Sequence, residues 1–203
     1  MRHMVLWALL ALTLPGCTAI SAVSDATRVL AVYELRTPAA PRRGAPQGLE
    51  LVVEEPIASG ALTTERIMIR PGPFQAQYLP EAQWADPAPI MLQTLLVRTL
   101  TESGTFTSVG RRPVGTRADF AVLSELTDFQ AETAGEGATV RVALRLRLAR
   151  ESDARVIASR GFQATQAAPN TNPQTLVSAF DAATSALLIE ASGWISGRIA
   201  GAS

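Results

Sequence analysis

The sequence predicts an α+β domain built on a single mainly antiparallel (mixed) sheet, with two helices packed on one face. Three observations carry this reading. Thr139 to Arg150 places Val140, Val142, Leu144, Leu146 and Leu148 in strict alternation with Arg141, Ala143, Arg145, Arg147 and Ala149. A period of two means a strand with one buried face and one wet, cationic face. Two segments, near 86–104 and 172–198, carry apolar residues at helical spacing and have proline at their starts. A chain of 203 residues buries roughly 70% of the surface its unfolded form exposes, enough for one core without disulfide or metal.

Taken in order, Val29 to Arg36 reads as a strand, and Thr37 to Gly48, with three Pro and two Gly, as a loop. Leu49 to Ile57 is a second strand candidate that ends near Pro56. Glu65 to Leu79 reads as a hairpin, because Pro71-Gly72-Pro73 interrupts the alternation before Phe74, Ala76 and Tyr78 resume it. The first helix is expected over Asp86 to Gly104, with Asp86 or Ala88 as cap, Leu92, Leu95, Leu96 and Leu100 as its buried stripe, and Gly104 just past its end. Phe120 to Glu132, Thr139 to Arg150 and Arg155 to Ala167 form a meander, turned at Gly135–Gly137 and at Ser152-Asp153. The second helix takes Asn172 as N-cap and Pro173 as N1, and buries Leu176, Phe180, Ala183, Leu187 and Trp194. Gly193, Gly197 and Gly201 follow four apart, a spacing that permits close approach to the sheet or to a sister subunit.

Charge excludes one large class of partners. Lys+Arg and Asp+Glu are 18 each, every basic residue is Arg, and hydrophobic residues make up 47%. Nucleic-acid binding needs a basic excess that displaces counterions from phosphates, so no nucleic-acid partner is expected. The chain has one Cys and one His, Cys17 and His3, both near the N-terminus. From Thr18 onward there is no thiol or imidazole, which removes His/Cys metal sites and His-dependent nucleophilic catalysis.

The N-terminus reads as an export signal. Met1-Arg2-His3 gives a positive start and Met4 to Leu14 an apolar run, closed by Pro15 and Gly16. A run of this length falls well short of the roughly 20 residues that span a bilayer. Leu14-Pro15-Gly16-Cys17 resembles a lipobox, and the chain's single cysteine stands where such a motif is lipidated. That resemblance implies a signal peptide over 1–16, a diacylglycerol and an N-acyl chain on Cys17, and a lipidated tether over 17–28. No other cofactor is expected. Each buried CH₂ contributes about 0.8 kcal/mol, so two or three acyl chains hold a domain at a membrane essentially permanently. Thr18 stands where inner-membrane retention signals have Asp, which implies delivery to the outer membrane.

The remaining candidates are contact residues. Tyr78 and Trp84 flank the segment LPEAQ. An exposed aromatic pair there anchors a partner or lipid, and a buried one covers a core edge. Arg141, Arg145 and Arg147 form a cationic row for lipid headgroups or an acidic partner, or a solvated face screened by neighbouring carboxylates. Adjacent Glu54 and Glu55 on a strand point to opposite faces and cannot share a site. Asp119 and Asp128 suit strand capping or local backbone bonding better than acid–base work. No catalytic or metal-binding residue is assigned.

Several ordered segments then carry a family resemblance: Tyr33-Glu34-Leu35, Val53-Glu54-Glu55-Pro56, Leu62-Thr63-Thr64-Glu65-Arg66-Ile67, Tyr78, Trp84, Pro87, the Leu92–Leu100 helix, Phe106 to Val109, Ala118-Asp119-Phe120 and Asp128-Phe129. With the lipobox before them, the chain resembles the ABC-type transport auxiliary lipoproteins, the PqiC-like group that accompanies MCE-domain lipid transporters. The resemblance covers 29–203 as one domain. It implies a non-enzymatic lipoprotein on the periplasmic face of the outer membrane, serving an MCE-domain protein and its ABC permease/ATPase complex, with a homo-oligomer consistent with such partners. The anchor and an exposed binding surface would equally serve an assembly lipoprotein of a secretion, pilus or outer-membrane biogenesis complex.

Overall fold

The computed structural model describes residues 30–39, 41, 48–111 and 118–201. Nine strands and two α-helices follow one another as β1 (Ala31–Tyr33), β2 (Glu50–Val53), β3 (Ile57–Ala58), a 3₁₀ turn (Gly60–Leu62), β4 (Arg66–Gly72), β5 (Gln75–Trp84), α1 (Ala88–Glu102), β6 (Ser108–Gly110), β7 (Phe120–Ala134), β8 (Gly137–Arg150), β9 (Arg155–Ala168) and α2 (Pro173–Ala200). They form one α+β domain around one mixed sheet, as the alternation and helical spacing predict.

Strand β7 is the spine. One edge pairs antiparallel with β8 along its whole length, and β8 pairs antiparallel with β9. The other edge receives three short parallel partners in succession: β2 at Phe120–Val122, β3 at Glu125–Leu126 and β4 at Ala131–Glu132. Beyond these, β6 pairs with β2, β5 with β4, and β1 with β5. The long ladders are therefore antiparallel and the short ones parallel.

Two local features explain where the strands depart from the sequence expectation. The run expected as one strand over Leu49–Ile57 is split into β2 and β3, because Pro56 has no N–H for a ladder and the register slips by one residue between Val53↔Val122 and Ile57↔Glu125. Glu54 and Glu55 thus lie between strands rather than on opposite faces of one. The hairpin expected to close at Leu79 continues to Trp84. The register jumps from Met68↔Tyr78 to Arg66↔Gln83, so β5 carries extra residues at Leu79–Ala82. Pro80 lacks a donor there and Glu81 sits at φ 62, the left-handed region. The segment LPEAQ is a bulged strand, not a loop.

A second bulge lies between Leu126 and Asp128 of β7, opposite Leu144–Ala143. One extra residue flips the facing of everything after it. Phe120, Val122 and Leu126 are buried before it, and Phe129 and Ala131 after it.

Both helices join one core with the sheet. In α1 the expected stripe of Leu92, Leu95, Leu96 and Leu100 is buried, joined by Ala88 and Met91. Its N-cap is Pro87, not Asp86 or Ala88, and no side chain caps it. Buried Gln93 donates from Nε2 to the Val53 carbonyl at 2.8 Å, satisfying the end of β2. Gly104, at φ 67, follows the helix as expected. In α2, Leu176, Ala179, Phe180, Ala183, Leu187, Leu188, Ala191, Ile195 and Ile199 are buried. Asn172 occupies the N-cap position, yet its side chain makes no capping bond. Trp194 is only half-buried and meets Phe162 edge-on at 5.5 Å. Gly197 makes no close approach to the sheet, since a Cβ there would meet nothing within 4 Å.

Candidate functional site

The side chains proposed from sequence divide between core and surface. Trp84, expected as a partner or lipid contact, is 0% exposed. It sits between Phe129 of β7 at 5.6 Å and Phe180 of α2 at 5.2 Å, and those two rings are 4.9 Å apart. This triad joins β5, β7 and α2, and a side chain so enclosed has no surface to offer. Its indole N–H has no protein acceptor among the described residues. The β5 bulge is what turns it inward.

Tyr78 remains at the surface, 38% exposed. The Arg66 guanidinium lies over its ring at 5.4 Å, and its hydroxyl donates to the Ala61 carbonyl at 3.3 Å. The β5 bulge therefore separates Tyr78 and Trp84, which do not act as a pair.

Along the outer face of β8, Arg141 is bound in fork fashion by Glu132 of β7, through Nε to Oε1 at 2.8 Å and Nη2 to Oε2 at 3.2 Å. These hydrogen bonds hold the Glu132 carboxyl below its ordinary 4.5, with burial opposing and the Arg141 charge assisting. Arg145 meets Glu125 at 3.5 Å, with both side chains more than half exposed, so that pair contributes little. Arg147 is exposed, lies between Leu123 of β7 and Ser159 of β9, and has no ion pair among the described residues. Two of the three cations are thus screened by β7, and Arg147 keeps an open charge.

The two aspartates work locally. Asp119 accepts the Glu50 backbone N–H at 2.8 Å through Oδ2, which ties β2 to the start of β7. Asp128 accepts from the Thr127 hydroxyl and from Gln130 Nε2, both at 3.0 Å, and so stitches the β7 bulge. An open hollow of about 570 Å³ beside Asp119 is lined by Leu49, Phe120, Arg150, Glu151 and Ser152. Its Asp119 carboxylate is already committed to backbone. Among the described residues there is no group of three His, Cys, Asp or Glu able to hold a metal ion. No described helix is long and apolar enough to cross a membrane.

Two features escaped the sequence reading. The Asp181 carboxylate on α2, 8% exposed as a residue, accepts the Arg36 backbone N–H at 2.8 Å and Arg36 Nε at 3.0 Å. This clamp holds the segment after β1 against the helix. Its partners are 145 positions apart, so no local pattern announces it. Phe74, read as the first residue of a returning strand, instead stands at the hairpin tip, 100% exposed. Its Pro-Gly-Pro preface is the signal that places it there.

Cys17, with the signal and tether, lies outside the described residues. In the described part, the carboxylates of Asp119, Asp128, Glu132 and Asp181 are all engaged in contacts within the fold. The chain belongs to the family of ABC-type transport auxiliary lipoprotein components, whose sequence pattern it matches over residues 33–190. It is similar to the crystal structure of protein XCC0632 from Xanthomonas campestris, with 29% identity and a TM-score of 0.77 over 85% of this chain and 99% of that one. The hypothetical protein CT253 from Chlamydia trachomatis shares the fold at 10% identity, with a TM-score of 0.54 over 75% of this chain and 98% of that one. The protein bll6063 of Bradyrhizobium diazoefficiens is 29% identical over 170 residues, 80% of this chain. The chain spans 44% of that relative's length.

Proposed function

We propose that this protein is a non-enzymatic, lipid-anchored subunit of an MCE/ABC-type system that moves phospholipid across the bacterial envelope. Acylated at Cys17, it docks the transporter at the periplasmic face of the outer membrane. The observation that carries the reading is the family match over 33–190, whose description names both a transport auxiliary role and a lipoprotein. The local use of Asp119 and Asp128 supports a binding role over catalysis. Tyr78 and the open charge at Arg147 are the surface contacts left for the transporter or for lipid, with Arg141 and Arg145 more fully neutralised. A homo-oligomer fits the long β9 strand, which pairs only with β8 among the described residues and so leaves an edge for a second copy.

Purification of the lipidated protein from detergent-solubilised envelopes tests this. An MCE-domain protein with its permease and ATPase should co-purify, and deletion should raise detergent sensitivity. Recovery without those subunits, with envelope lipid asymmetry intact after deletion, refutes the transport role. Cys17→Ser should release the protein into the periplasm.

A further inference from the structure

The far half of the β4–β5 hairpin is built for a different kind of contact. Phe74 is fully exposed at its end, bracketed by Pro71, Gly72 and Pro73 on one side and Gln75 on the other. The two prolines fix their own φ angles, and Arg70 Nη2 donates to the Pro73 carbonyl at 3.3 Å, so the tip is held rather than loose. From Arg66 to Pro80 there is no acidic residue, while Arg66, Arg70 and Tyr78 all lie in this stretch. The acid at its base, Glu132, is already bound by Arg141 and feels the charge of Arg70. A fully wet phenyl ring on a rigid, acid-free tip suits the interfacial zone of a bilayer, where aromatic and arginine side chains collect.

Strand direction places this tip at the end of the sheet from which β1 starts. β5 runs from the tip toward Trp84, and β1 lies parallel to it with Ala31 opposite Ala82. The chain therefore enters the sheet from the side on which the tip projects. The 14 steps from Cys17 to Ala31 can reach at most about 45–50 Å, whereas the hairpin from Gln75 to Gln83 spans about 20 Å, because the bulged β5 runs against only the stretch of β4 from Gly72 to Arg66. The tether thus exceeds the distance the tip needs. An anchored domain is held at high local concentration beside the bilayer, so one apolar side chain suffices to bias its orientation without having to supply binding. Glu136 lies in the β7–β8 turn at the same end, because β4 and β7 are parallel, and marks how deep that end can go.

We propose that the Phe74 tip seats in the interface of the bilayer that holds the acyl chains, fixing the domain upright on its anchor. This rests on the lipid anchor at Cys17. Because Cys17 is the single cysteine and is acylated in that reading, a new cysteine can be labelled alone. The full lipidated chain carrying Gln75→Cys with an environment-sensitive dye is reconstituted in phosphatidylethanolamine/phosphatidylglycerol vesicles. Ser152→Cys, in the β8–β9 turn at the opposite end of the sheet, serves as the reference. The proposal expects a blue-shifted dye at position 75, quenched by bilayer-resident quenchers and shielded from aqueous iodide, with position 152 showing neither effect. Adding Phe74→Asp should abolish the shift, and Phe74→Leu should keep most of it. Vesicles that float with the protein while both dyes stay equally open to iodide overturn the tip contact and leave the anchor standing. A shielded dye that crosslinks to a second copy and ignores bilayer quenchers overturns it in favour of a protein contact. Failure to float at all removes the anchor and this proposal together.

Discussion

Trp84 illustrates how one side chain ties separate parts of the chain together. Its ring fills the space where β5, β7 and α2 converge, in contact with Phe129 and Phe180. Trp84→Ala leaves a cavity that those rings cannot fill, so a loss of about 3–5 kcal/mol in unfolding free energy is expected, read by urea denaturation. Trp84→Phe should cost much less, because the indole N–H has no acceptor to lose. At the sheet surface, Glu132 gives a pH-dependent prediction. Its carboxyl is held below 4.5 by Arg141, so between the two values the unfolded chain binds more protons than the native one. The stabilisation is thus present above the ordinary carboxylate range and disappears as pH falls through the depressed value. Since the Glu132 side chain is 39% exposed, Glu132→Gln should cost less than about 1 kcal/mol at neutral pH. Denaturation midpoints of the two proteins should converge in acid. A gap that persists there would contradict the assignment.

At the level of elements, the meander was the most legible part of the sequence, and its turns explain why. The ladder pairs Ala134 with Gly137, leaving Gly135 and Glu136 as a two-residue turn. Gly135 has φ 59, the arrangement in which glycine leads a type II′ hairpin. Gly137 is needed for another reason: a Cβ there would come within 2.8 Å of the Ala168 carbonyl oxygen, where β9 ends. Gly137→Val is therefore expected to lower the melting temperature more than Thr139→Val two residues on, measured by calorimetry. Alternation and helical spacing are local signals, so β7, β8, β9 and both helices could be read within a few residues. What could not be read depends on distant pairing. The β5 bulge turns Trp84 inward through the register jump from Met68↔Tyr78 to Arg66↔Gln83 across the hairpin, and the parallel seats of β2, β3 and β4 on β7 leave no trace in any one segment. The same reason hid the exposed state of Phe74 and left the burial of Trp84 as one of two readings, since each is decided by what lies across the hairpin.

For the molecule as a whole, the contact residues expected from sequence do not gather into one site. Arg147 lies on the outer face of β8, Tyr78 on the hairpin beside Arg66, and Trp84 inside the core. On the proposed reading the protein works by where it is held and which way it faces, which would load the start of the described chain. A pull on the chain from its N-terminal side would enter through β1, which has three paired positions with β5, and through the Arg36–Asp181 clamp beyond it. These are short connections beside the long ladders of β7, β8 and β9. In a force-spectroscopy trace drawn from Cys17, the first event should be a small, low-force rip releasing the chain up to Glu50, about 70 Å of contour, with the main sheet still folded. Asp181→Asn should lower the force of that first rip and leave the second unchanged. The junction would behave as a mechanical fuse, yielding strap before body when the envelope is stretched.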